Sequence, residues 1–180
     1  MNLVQPIREK DIIDEIKKHL RNENKRNYIM FMIGINTGLR ISDILQLRVR
    51  DVEGWYISLR TKKRNKYVRI KMPKNLKKEL REYIKDKPKD EYLVKSRVGK
   101  NKPISRSMAY VILNDVAREY GLESIGTHSL RKTFGYHIYQ KEKDVAALQE
   151  MFNHEDPKYT LRYIGINQDN LDSMMSRFGL

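Results

Sequence analysis

Apolar side chains recur at helical spacing along most of the chain, and the spacing becomes strand-like in one short stretch. Ile12, Ile13, Ile16 and Leu20, set among lysines and glutamates, predict an amphipathic helix over residues 8–22, which the polar run 22–25 breaks. Ile29, Phe31, Met32, Ile33 and Ile35 predict a more apolar, buried helix over residues 28–37, with Gly38 as its C-cap. Arg40 follows at once, and Ser42 and Asp43 open a short helix with Ile44, Leu45 and Leu47 on one side.

From Trp55 the period changes. Trp55 to Leu59 and Tyr67 to Ile70 read as strands flanking the basic turn Thr61 to Lys66, a β-hairpin. Pro73 ends it, and a helix from Asn75 to about Lys85 turns Leu76, Leu80 and Ile84 inward. Tyr92 to Val94 is a short apolar strand or turn, and residues 95–104 form a basic, irregular loop. Ser105 caps a helix reaching about Tyr120, closed by Gly121. Further helices are expected from Thr127 to about Gln140 and from Asp144 to Phe152. Asp156 and Pro157 start a short helical segment carrying Tyr163, since proline suits a first helical turn. The tail, residues 167–178, is amphipathic through Leu171, Met174, Met175 and Phe178. The fold class is therefore mainly α with a small antiparallel β-sheet, an α+β arrangement without internal repeat or interior linker.

Composition narrows the partners. The chain's 180 residues suit one domain, and 39% hydrophobic content supports a real core. No apolar run is long enough for a transmembrane span, and the first ten residues lack a secretory pattern. The absence of cysteine excludes disulfides and thiolate metal sites and suits a cytoplasmic protein. Thirty-seven Lys and Arg against twenty-three Asp and Glu give a net charge of +14, which favours a polyanionic partner. The basic residues are spread along the chain, so a folded basic surface is expected and not a charged arm.

Four features carry candidate chemistry. Arg40 follows a glycine turn, lysines crowd the hairpin tip, His128 and Arg131 lie three apart on a helix, and His154 precedes Tyr163 by nine residues. Taken alone, the first three have ordinary explanations, an exposed arginine, a solvated turn and a histidine satisfied by backbone groups, and the Met and Leu spacing of the tail is ordinarily core packing. In this order, however, Thr37-Gly38-Leu39-Arg40-Ile41-Ser42-Asp43, Thr127-His128-Ser129-Leu130-Arg131-Lys132-Thr133-Phe134 and the stretch from Phe152 to Tyr163 resemble the catalytic domain of the tyrosine recombinases, the phage integrase or Xer-type family. The resemblance covers nearly the whole chain.

The resemblance implies a site-specific DNA recombinase that breaks and rejoins strands through a covalent 3′-phosphotyrosine, with Tyr163 as nucleophile. It gives Arg40 and Arg131 the phosphate oxygens, His128 a general-base or phosphate-binding role, and His154 a hydrogen bond to the phosphate. A hairpin lysine, Lys62 or alternatively Lys63, would protonate the leaving 5′-oxygen, and Asp43 would buttress Arg40. Tyr159 is the other tyrosine within reach. The expected partner is double-stranded DNA, with self-association to a tetramer on it; no cofactor, metal, membrane or small-molecule substrate is implied. Residues 1–180 would form a single catalytic domain without the family's usual N-terminal core-binding helical domain, as an excised domain or a short member. The tail would dock on a neighbour or pack on its own core. Two other functions fit such a fold: a type IB topoisomerase-like enzyme, and a DNA-binding module without catalysis.

Overall fold

The computed structural model describes residues 4–61, 63 and 65–178. Helix α1 (Lys10–Glu23) buries Ile13, Ile16 and Leu20 along one stripe. Asn24 explains the break that follows. Its backbone N–H closes α1 on the Leu20 carbonyl at 2.8 Å, and its side chain accepts from the N–H groups of Arg26 and Asn27, starting α2 (Lys25–Thr37). Helix α2 is buried on almost every side and forms the middle of the main core. It ends at Gly38, where φ is +63° and a Cβ would run into the Phe134 ring, so glycine is required twice over.

Arg40 is the N-cap residue of the short helix α3 (Ile41–Ile44), which a 3-10 turn (Val49–Asp51) follows. Strands β1 (Tyr56–Arg60) and β2 (Tyr67–Lys71) pair antiparallel, with Tyr56 opposite Lys71 and Arg60 opposite Tyr67. Ile57 and Leu59 turn into the core, whereas β2 buries no residue fully. Helix α4 (Lys74–Ile84) covers the core with Leu76 and Leu80, and α5 (Arg106–Glu119) starts at Ser105, whose Oγ accepts from the Met108 N–H at 3.0 Å. Helices α6 (Ser129–Glu142), α7 (Val145–Phe152), α8 (Pro157–Tyr163) and α9 (Ile166–Arg177) complete the chain. Asp144 and Asp156 cap α7 and α8 through their carboxylates.

Two apolar clusters hold these elements. The larger joins α1 to α5 and the hairpin and reaches Leu130 of α6; the smaller gathers Phe134, Leu148, Phe152, Ile164 and Ile166. Helix α6 belongs to both. A Cβ at Gly34 of α2 would lie 2.5 Å from Leu130, and one at Gly135 would lie 2.7–2.8 Å from Ile164 and Phe152. These close approaches bring the stretches 37–43, 127–134 and 152–163 into one place. The residues before α1 cross the start of α6, with Ile7 buried and its N–H bonded to Thr133 Oγ1 at 2.9 Å.

The architecture is the expected mainly helical one with a two-stranded antiparallel sheet. One detail differs from the expected helix bounds. Helix α6 begins at Ser129, so His128 is its N-cap residue and not part of a helical face shared with Arg131. As expected, Tyr163 lies on a short helix that Asp156 and Pro157 start, as the last residue of α8. Leu171, Met174, Met175 and Phe178 of the tail are 56%, 60%, 68% and 68% exposed, so this stripe does not pack on its own core. Lys62 lies outside the described residues, and Lys63 is an exposed turn residue. Among the described residues no helix is long and apolar enough to cross a membrane.

Candidate active site

Arg131 is the fixed point of the site. Its guanidinium is buried, donates to the Gly38 carbonyl and, at 3.2 Å, to the Phe152 carbonyl, and lies 4.2 Å over the Phe152 ring. The side chain thus ties the C-cap of α2 to the end of α7. Burial pulls its pKa down to about 10, against the opposing pull of Tyr163 and buried Asp43, with Arg40 adding repulsion. The charge of the guanidinium also acts on the Tyr163 side chain, which lies close enough for each to shift the other's pKa.

Tyr163 arrives from the other side. Its ring meets Phe152 edge-on at 5.6 Å and His154 edge-on at 5.1 Å, and stacks with Tyr159 at 6.4 Å. Burial raises the Tyr163 pKa, while the charges of Arg131 and Arg40 lower it. His154 is held by a 2.9 Å hydrogen bond between Nδ1 and Oγ1 of buried Thr160. Its pKa is lowered first by burial, then by Arg131 and Arg40. His128 keeps exposed surface yet is crowded enough that burial lowers its pKa, followed by the charges of Arg106, Lys132, Arg131 and Arg40.

Arg40 and Arg131 therefore act electrostatically on His128, His154 and Tyr163, although the five residues come from three separate stretches. The cations repel one another, and Asp43 is the acid that faces them through Arg131. A cluster of cations of this kind is relieved by an anion, and two guanidinium forks suit the oxygens of a phosphate. Lys132 was not singled out by the sequence. Its Nζ sits 5.1 Å over the Tyr163 ring and donates to the Val4 carbonyl at 2.7 Å. Phe152 and Thr160, which hold Arg131, His154 and the tyrosine, also carried no chemical signal of their own.

The profile of the phage integrase family matches residues 6–170. The chain belongs to the phage integrase family. It is 51% identical over 183 aligned residues to the probable integrase/recombinase YoeC of Bacillus subtilis (strain 168), covering 99% of each chain. It is 26% identical to the tyrosine recombinase XerA of Pyrococcus furiosus, covering 93% of this chain but 60% of XerA. The crystal structure of the XerH site-specific recombinase bound to its difH substrate, a pre-cleavage complex, superposes with a TM-score of 0.72 at 21% identity, covering 97% of this chain and 54% of XerH. The chain thus has the catalytic-domain fold of the phage integrase family and spans little more than half the length of several relatives.

Proposed function

We propose that this protein recombines double-stranded DNA at specific sites through a covalent 3′-phosphotyrosine on Tyr163. The observation that carries the reading is the meeting of the Tyr163 side chain with the buried Arg131 and the charge of Arg40. Phenol is a weak nucleophile with an unperturbed pKa of about 10, so it attacks only where cations stabilise the charge that develops. Here Tyr163 Oη bonds to phosphorus while the bond from phosphorus to the 5′-oxygen breaks. Its proton passes to His128, which is neutral near pH 7 because burial and four cations depress its pKa. The non-bridging oxygens fall to Arg40 and Arg131, and His154 bonds one of them. The hairpin lysine, Lys62 or Lys63, protonates the leaving oxygen. Asp43 steadies the arginine pair. The phosphotyrosine keeps the energy of the phosphodiester, so a second strand reverses the step without any metal or cofactor.

The net charge of +14 and the likeness to XerH on its substrate support DNA as partner. The exposed stripe on α9 supports docking on a neighbouring copy within a tetramer. The test is a nicked suicide duplex carrying a target site: the parent forms a covalent adduct in the presence of chelator, and Tyr163→Phe binds the duplex without forming one. An adduct with Tyr163→Phe would move the nucleophile elsewhere, with Tyr159, 54% exposed beside it, the first to examine. Relaxation of supercoils without exchange between two sites would assign a topoisomerase activity instead.

A further inference from the structure

We infer that Lys132 is a positioning residue for Tyr163, fixing the face of its ring from a buried ammonium that the Val4 carbonyl holds in place; this rests on Tyr163 being the nucleophile. In-line attack needs the phenol oxygen on the axis opposite the leaving oxygen, so the ring's orientation matters as much as its distance. Phe152 and His154 touch the ring edge-on, and Tyr159, which stacks with it, is itself exposed. Lys132 lies over the ring from α6, the helix that also carries Arg131. A cation over an aromatic face is held there by the ring's quadrupole, and more firmly when shielded from water. Lys132 is 8% exposed, and its ammonium donates to the Val4 carbonyl at 2.7 Å.

Val4 is held in turn. The segment from Gln5 to Arg8 is bonded to Ser124 through the Gln5 N–H at 3.0 Å, to Thr133 through the Ile7 N–H, and to His137, whose Nε2 donates to the Ile7 carbonyl at 3.0 Å. Arg8 Nε donates to Asp169 at 2.7 Å and its guanidinium reaches the Gly165 carbonyl at 3.4 Å. Gly165 has φ +90°, and a Cβ there would lie 2.9 Å from Arg8 and 3.1 Å from Pro6. One strap therefore holds both Lys132 and the backbone two residues past Tyr163. Lys132 is buried beneath the tyrosine, so it sets how the phenol is presented and not how tightly DNA binds.

The experiment compares Lys132→Met and Lys132→Arg with the parent in single-turnover cleavage of the suicide duplex, alongside binding to the same duplex and thermal melting. Lys132→Met is expected to cleave about tenfold or more slowly with binding unchanged, and Lys132→Arg, which keeps the cation, to recover most of the rate. Unchanged cleavage by Lys132→Met, or parallel loss of cleavage and binding, overturns the inference. Failure of the parent itself to form a Tyr163-dependent adduct would instead overturn the function reading. In that event 3-fluorotyrosine at position 163 decides by 19F NMR. A single narrow line in the parent that broadens or splits in Lys132→Met and narrows in Lys132→Arg supports the positioning role, and an unchanged line width refutes it.

Discussion

At the scale of single residues, the histidines give the protein a defined response to acid. His128, His137 and His154 all have pKa values lowered chiefly by burial. For His137 the charges of Lys10 and Lys17 add to that effect, while the Ile7 carbonyl and Glu9 oppose it. In the unfolded chain these imidazoles bind protons from about pH 6.5 downward, so between that value and their lower folded values the unfolded state holds more protons. Stability is therefore full above about pH 6.5 and declines as the pH falls below it. Melting temperatures at pH 7.5 and 5.5 should show this drop. His137→Gln, which keeps a donor for the Ile7 carbonyl, should shrink it; an equal drop in both proteins would remove His137 from the account. Residue types at the site were legible in the sequence because Arg40, His128, Arg131, His154 and Tyr163 sit in ordered motifs. Lys132 was not, because its burial depends on Val4, 128 positions earlier, and no local pattern encodes that bond.

At the scale of elements, the approach of α6 to α7 and α8 places Tyr163 beside Arg131. Gly135 allows it: a Cβ there would stand 2.7 Å from Ile164 and 2.8 Å from Phe152. Gly135→Ala should cost about 1–3 kcal/mol through overpacking and push Phe152 and Ile164 outward. Phe152 carries both the Arg131 guanidinium and the edge of the Tyr163 ring, so cleavage should fall further than melting alone predicts. A variant that melts earlier yet cleaves as the parent does would show that the close approach serves stability only. The elements themselves were readable, since caps such as Asn24, Ser105, Asp144 and Asp156 announce their helices. The start of α6 was misplaced by two residues because Thr127 resembles a cap, whereas the chain puts His128 there and bonds the Ser129 N–H to the Gly126 carbonyl at 2.9 Å. Periodicity alone could not choose between a tail packed in cis and one facing outward, because both bury the same stripe.

At the scale of the whole molecule, the proposed function gives that stripe a role in exchange that is separate from cutting. Leu171, Met174, Met175 and Phe178 follow helical spacing on or just after α9, and each is more than half exposed. Exposed apolar side chains grouped this way mark a surface that another chain covers. The proposed catalytic residues described above lie between α2 and α8, and α9 is anchored through buried Ile166 and through the Arg8–Asp169 pair at 2.7 Å, both on its first turns. Charges placed on the outer stripe should therefore leave single-site chemistry intact and remove assembly. For Met174→Asp combined with Met175→Asp, adduct formation on a suicide duplex should match the parent. Recombination between two sites should fall by about tenfold or more, as expected when interface anchors each worth more than about 1 kcal/mol are lost. Sedimentation on DNA should shift in parallel toward smaller complexes. Full recombination by the double variant would show that this stripe is not the contact between copies, and a lost adduct would mean that α9 supports Tyr163 within its own chain.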